Sequence, residues 1–341
     1  MTRLLRRLAA PVLMLALASC APTFQHAAVP PPQFQGPSLN AHDFTSFDGT
    51  HLALSTWTPG SGEPWAVIVG LHGMNDYAAA FWMAGPWWAK RGIATYAWDQ
   101  RGFGRSPHRG LWEPDTLASE DLRTLCALVH ARYPHATVAV VGESMGGAEA
   151  IEAFASDHPP DASRLILASP AVWGWSSQPV INRIALWLAA HTIGSRSIEP
   201  PDVVVEHITA SDNIPELRRM GRDPNLVWAT RPDAVYGLVD LMDHASRDVG
   251  KLKVPTAYLY GAHDEIIPKN AAFPAAARLT AGPTAYYPHG WHILLRDYEA
   301  ETVWADIERF IRDPSKPLPS GVGPIPAPKR SVMRKRDSQI G

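Results

Sequence analysis

Six short apolar runs bounded by turn residues punctuate the middle of the chain: Trp65 to Leu71, Ile93 to Trp98, Thr137 to Val141, Arg164 to Ala168, Thr256 to Tyr260 and Thr284 to Tyr287. Each has the length of a strand buried on both faces. Helical patterns lie between them. From Thr116 to Tyr133, the residues Leu122, Leu125, Cys126 and Val129 fall at i, i+3, i+4 and i+7. That stripe makes Cys126 a small core residue rather than a reactive one. Such alternation predicts an α/β fold, a mostly parallel sheet with helices on both faces and function at the carboxyl ends of the strands. Ahead of it, Phe44 to Phe47, an Asp48-Gly49 turn and Leu52 to Trp57 predict a hairpin. The alternation stops between Ala168 and Val254, so Pro170 to Lys253 is expected as a helical insertion between two consecutive strands.

The run Thr137 to Val141 leads into Gly142-Glu143-Ser144-Met145-Gly146-Gly147 and then an alanine-rich helical stretch. G-x-S-x-G occurs often by chance, but strand, turn and helix are the context in which it presents a serine nucleophile. The glycines are needed because flanking side chains would collide with the neighbouring strand and helix. A serine hydroxyl is a poor nucleophile until a histidine takes its proton and a carboxylate orients that histidine. Both are present, each after a later strand: Asp264 in Gly261-Ala262-His263-Asp264-Glu265-Ile266-Ile267-Pro268, and His292 in Gly290-Trp291-His292-Ile293-Leu294-Leu295. Glu265 competes for the acid and His263 or His289 for the base; position within each loop favours Asp264 and His292. A second oxyanion donor is expected from the loop after an earlier strand, which here reads Leu71-His72-Gly73-Met74-Asn75-Asp76. This chemistry calls for no metal and no organic cofactor.

The ends read differently from the middle. Arg3, Arg6 and Arg7 precede an apolar run from Leu8 to Ala18, too short to span a bilayer as a mature helix, and residues 1–19 have the plan of a signal peptide. Ala21 to Ala41 carries Pro22, Pro30, Pro31, Pro32 and Pro37 with little apolar periodicity, so 20–41 is expected as a Pro-rich tether. Residues 314–341 hold six prolines and six Lys or Arg against one acid, and are expected as a disordered basic tail. The net charge of -2 therefore conceals +3 before Cys20 and +5 from Pro314 onward, leaving -10 for the part between. An acidic body makes nucleic acid a poor partner and uncharged esters better ones.

These blocks resemble the monoacylglycerol lipase and lysophospholipase branch of the α/β-hydrolase superfamily, the serine aminopeptidase S33 domains, over about residues 42–313. They are His72-Gly73 with Asp76, Asp99-Gln100-Arg101-Gly102-Phe103-Gly104-Arg105-Ser106, Gly142 to Gly147, Asp264 before Ile267-Pro268, and His292 before Leu294-Leu295. The sequence departs from the family at Gln100, often histidine, and at His289, usually a small residue. The resemblance implies an α/β-hydrolase fold, a catalytic triad of Ser144, Asp264 and His292, and oxyanion donors at the backbone N–H groups of Met74 and Met145. It gives the Asp99 to Ser106 block a structural role and makes residues 170–253 the cap, carrying Trp173, Trp175, Trp187 and Trp228. An apolar cap above a serine suits an acyl chain. The function implied is hydrolysis of monoacylglycerol or lysophospholipid; a short-chain esterase, an aminopeptidase using cap acids such as Glu199, Asp202, Glu206 or Asp212, and a non-catalytic binding lipoprotein are the alternatives.

Leu17-Ala18-Ser19-Cys20 likewise resembles the lipobox of bacterial lipoproteins. That implies lipidation of Cys20 and a membrane-anchored protein of the cell envelope, with Ala21 compatible with the outer membrane.

Overall fold

The computed structural model describes residues 21–199 and 208–328. Its frame is one sheet of nine strands: β1 (Ser38–Leu39), β2 (Asp43–Thr45), β3 (His51–Trp57), β4 (Ala66–Leu71), β5 (Ile93–Trp98), β6 (Thr137–Glu143), β7 (Arg164–Ala168), β8 (Thr256–Gly261) and β9 (Thr284–Tyr287). The spatial order is β1-β2-β3-β5-β4-β6-β7-β8-β9. The first three strands run antiparallel to their neighbours, and β5, β4, β6, β7, β8 and β9 are mutually parallel. All six apolar runs of the sequence are strands of this parallel part. The hairpin turns at Gly49, whose φ of 81° lies in the left-handed region that glycine tolerates.

Helices cover both faces, because strands apolar on both sides must be shielded on both. One layer holds α1 (Ala84–Ala89) and, near the C-terminus, α8 (Ala300–Arg312), whose Val303, Ile307, Phe310 and Ile311 are buried. The other holds α2 (Asp115–Arg132), α3 (Met145–Ala155) and α7 (Lys269–Ala276). The α2 stripe of Leu122, Leu125, Cys126 and Val129 is fully buried in that layer.

Between β7 and β8 the chain forms a 3-10 turn at Trp175–Ser177, then α4 (Val180–Ile193), α5 (Ile214–Met220) and α6 (Pro232–Asp248). The last helix is less separate than the expected insertion. It buries Val239, Leu241, Met242 and Ala245 and lies along α3, so it completes a layer of the body.

Two expectations for the ends are corrected. The proline-rich stretch after Cys20 does not hang free: Gln25 N donates to Trp112 O at 2.8 Å, the Gln25 side chain donates to Leu111 O at 2.7 Å, and Ala28 N donates to Asp48 at 2.7 Å. Proline composition hid this strap because its attachment is through backbone groups and a buried amide, which leave no hydrophobic period. The first half of the basic tail is fixed as well. Tyr286 N donates to Gly323 O at 2.9 Å, Ile325 N donates to Thr284 Oγ1 at 3.0 Å, and Leu318 and Val322 pack on the α8 layer. An extended chain thus covers the open edge of β9, where unpaired strand groups need partners. Residues 329–341, with most of the basic charge, lie outside the described residues, as does the signal segment with Cys20.

Candidate active site

The turn after β6 forces Ser144 into φ 53°, ψ -115°, an unfavourable conformation for a residue with a side chain, at the N-terminus of α3. Such strain costs on the order of 1–3 kcal/mol and persists only where the surroundings impose it. Here glycine permits it. A side chain at Gly142 would overlap the Gly146 carbonyl, and one at Gly146 would overlap Leu71 of the adjacent strand.

Asp264 and His292 lie on the loops that leave β8 and β9, and the structure brings both to Ser144. His292 Nε2 is 2.9 Å from Ser144 Oγ, and His292 Nδ1 is 2.9 Å from Asp264 Oδ2. With the carboxylate as acceptor, Nδ1 carries the proton and Nε2 is left to accept from the serine hydroxyl. Asp264 is itself held, because its Oδ1 accepts from the amides of Ile266 and Ile267, both at 2.9 Å. Burial opposes protonation of His292, but the carboxylates of Asp264, Glu143 and Asp297 outweigh it and raise its pKa above the usual value of 6.5. The competing residues of the sequence are elsewhere: His263 is exposed and stacks on Trp291, His289 is exposed, and Glu265 accepts from Thr209 N.

The loop after β4 runs so close to the serine that a side chain at Gly73 would touch Ser144 Cβ at 3.2 Å. Among the described residues, the amides of Met74 and Met145 donate to no protein group. His72 fixes that loop. Its Nδ1–H donates to Gly73 O at 2.8 Å, and its Nε2 accepts from Gln100 N at 3.0 Å while the Gln100 side chain donates to His72 O at 2.9 Å. Burial lowers the His72 pKa, so it stays neutral in that tautomer. Gln100, a departure from the family pattern, is therefore a brace for the loop after β4. Asp99 likewise accepts from Ala78 N at 3.0 Å and from Arg105 Nε at 2.7 Å, which accounts for the block as structure.

Sequence reasoning missed the ion cluster behind the serine. Arg296, four residues after His292, is buried and lies 2.6 Å from Asp76 and 2.8 Å from Glu143, the second residue of G-x-S-x-G. Glu216 of α5 approaches the same guanidinium at 3.9 Å. The cluster ties two loops, the end of β6 and helix α5 into one unit, and the residues are too far apart in sequence for any pattern to pair them. A second missed contact comes from the insertion: Ala210 O accepts from both His292 N and Ile293 N at 3.1 Å.

Above Ser144 is a cavity of about 320 Å³ whose walls are mainly apolar, including Met74, Met220, Leu226, Val227, Trp228, Ile266 and Ile293. Of the four cap tryptophans, Trp228 reaches it; Trp173 and Trp175 pack on the core, and Trp187 stacks on His191 with ring centroids 4.2 Å apart. A larger hollow of 670 Å³ lies beside Phe154, Pro159 and Lys253, at the far ends of the strands from Ser144. Among the described residues, Asp115, Glu152 and His244 bring possible metal-ligand atoms within 4.8 Å of one another. Of these, Glu152 lies two turns along α3 from the serine.

Residues 62–299 match the family model for the serine aminopeptidase, S33, domain. The chain belongs to that family. It is 26% identical over 290 residues to a monoacylglycerol lipase of Mycolicibacterium smegmatis, covering 79% of this chain and 96% of that one. It is also 26% identical over 230 residues to the monoglyceride lipase of Rattus norvegicus, covering 66% of this chain and 74% of that one. Among solved structures, a soluble variant of the Saccharomyces cerevisiae monoglyceride lipase aligns over 86% of this chain and all of its own, with a TM-score of 0.65 and 17% identity. The monoacylglycerol lipase of Paleococcus ferrophilus aligns over 76% of this chain and 98% of its own, with a TM-score of 0.60 and 19% identity. At those identities the likeness is one of fold, and it is the α/β-hydrolase fold.

Proposed function

We propose that the chain is a lipase acting on monoacylglycerol or lysophospholipid through an acyl-enzyme on Ser144. That it hydrolyses carboxylic esters is supported by its family and by lipase relatives. In the first step Ser144 Oγ attacks the ester carbonyl while His292 Nε2 takes the hydroxyl proton. The amides of Met74 and Met145 hold the oxyanion, and His292 then protonates the departing alcohol. Water repeats the sequence against the acyl-enzyme and releases the acid. Asp264 keeps the imidazole in the required tautomer throughout.

The observation that carries the lipid reading is the apolar cavity directly above the serine. An aminopeptidase needs a free carboxylate beside the site to hold the substrate's amine. Asp76 and Glu143 border the cavity, but both are engaged by Arg296. Glu199 is exposed and Asp212 accepts from Tyr298 N, while Asp202 and Glu206 lie outside the described residues. A panel of glycerol monoesters of increasing acyl length, with short-chain esters and an aminoacyl amide for comparison, tests the reading. kcat/KM should rise by about fourfold per added methylene until the cavity is filled, the equivalent of about 0.8 kcal/mol each. A flat response to chain length, or faster turnover of the amide, overturns it.

Cys20 is proposed as a lipid anchor on the strength of its lipobox, placing the enzyme in the cell envelope. Attached acyl chains provide more than the two membrane signals that stable attachment requires. Cys20→Ser should move the protein out of the membrane fraction when cells are lysed. Retention there to the wild-type extent counts against the anchor.

A further inference from the structure

A single nitrogen joins the segments that carry the nucleophile, the base and both free amides. Arg296 Nη2 lies 2.6 Å from Asp76 Oδ2 and 2.8 Å from Glu143 Oε2, and all three side chains are buried. Asp76 stands two residues after Met74, Glu143 stands directly before Ser144 and two residues before Met145, and Arg296 stands four residues after His292. The hold on Met74 is two-sided. His72, bound to Gln100, fixes the chain ahead of it, and Asp76 fixes the chain behind, with Oδ1 accepting from Tyr77 N at 2.8 Å and Oδ2 on the guanidinium. Arg296 is placed in turn by the insertion, because Asn213 Nδ2 donates to its carbonyl at 2.8 Å.

Stability does not account for this cluster. Taking charges out of water costs about what their attraction returns, and apolar side chains of the same size commonly do as well. Hydrogen bonding is also incomplete: among the described residues, Arg296 Nε and Glu143 Oε1 are buried without a partner. Buried polar groups in that state destabilise a fold, and they persist where a site has a use for them. Charge stabilisation does not account for it either. One guanidinium meets two carboxylates, and the negative excess opposes an oxyanion at Ser144. What remains is geometry, since two hydrogens on one nitrogen of a planar group hold two carboxylates in a fixed relation.

We propose that Arg296 is a positioning residue for acyl transfer: by holding Asp76 and Glu143 on one nitrogen, it fixes the Met74 and Met145 amides relative to each other and to His292. The role rests on the acyl-enzyme reading of Ser144. Ser144→Ala is therefore assayed alongside, and activity in that variant sinks the acyl-enzyme and not the part played by Arg296. A misplacement of about 1 Å in such a site costs about 100-fold in rate. Binding in the apolar cavity makes little use of the two amides, so the loss falls on kcat.

The full chain is assayed on a water-soluble ester, with kcat and KM measured separately. Arg296→Met should lower kcat by about 100-fold and leave KM within about threefold of wild type. Arg296→Lys keeps the charge and one nitrogen that can serve both acids, and should recover about tenfold of that loss. Removing the guanidinium alone leaves two buried carboxylates without a counter-ion, which can unfold the chain. A second variant therefore combines Arg296→Met with Asp76→Asn and Glu143→Gln, so that no charge of the three is left. It should stay folded by its thermal midpoint and remain about 100-fold slow, because the tie is still missing. Wild-type kcat in this neutral variant overturns the proposal, since Arg296 would then only offset its neighbours' charge. A loss confined to KM overturns it as well. If both variants unfold, Asp76→Asn alone decides: its NH₂ faces the guanidinium, Arg296 keeps Glu143, and kcat should fall by about tenfold. An unchanged kcat there overturns the proposal.

Discussion

Ser144→Ala is expected to lower kcat by about 10⁴- to 10⁶-fold on every ester tested and to abolish labelling by a fluorophosphonate. The size follows from what is removed and what remains. Alanine keeps the Cβ and therefore the strained elbow, the free amides of Met74 and Met145 stay in place, and the apolar cavity is untouched. Substrate still binds, so KM should change far less than kcat. Only the hydroxyl that forms the acyl-enzyme is gone, together with its hydrogen bond to His292, whose loss costs about 1 kcal/mol of stability. The thermal midpoint should accordingly stay within a few degrees of wild type. A variant that retains more than a tenth of the activity sinks the acyl-enzyme mechanism; one that is inactive and also melts early leaves the loss attributable to folding and calls for Ser144→Cys as the comparison.

The parallel strands were legible because each is a short apolar run that has no other stable place than the middle of a sheet. Ser144, Asp264 and His292 were legible for a related reason: chemistry requires those residue types at strand ends, and strand ends could be located. The packing between loops was not. Nothing in the order of residues says that Arg296 reaches Asp76 and Glu143, since the three meet only after two loops have converged on the end of β6. The attachment of the strap and the tail was not legible, because a segment of low hydrophobic periodicity can still be tied down. Gln25 and Ile325 are held by backbone bonds and by single buried side chains, which composition averages away. Helix α4 shows the same limit in reverse. Its apolar period is clear in the sequence, yet the period alone does not say whether the stripe faces the body or the solvent.

Asp264→Asn is expected to cost about 10⁴-fold in kcat although the geometry of the site barely changes. The two groups are of nearly equal size, and the amides of Ile266 and Ile267 can still donate to the remaining oxygen. An asparagine that keeps that oxygen on those amides turns its NH₂ toward His292 Nδ1, which must then accept. The ring proton moves to Nε2, and the base facing Ser144 Oγ is lost. The pH profile separates this account from simple distortion. In the wild type the nearby carboxylates raise the pKa of His292, so the neutral base forms, and kcat/KM rises, with a midpoint above pH 6.5. Removing the charge of Asp264 takes away the largest of the effects that oppose burial, so the midpoint of the residual activity should move to lower pH. If the activity falls but the midpoint stays where it was, Asp264 acts on the loop and not on the imidazole.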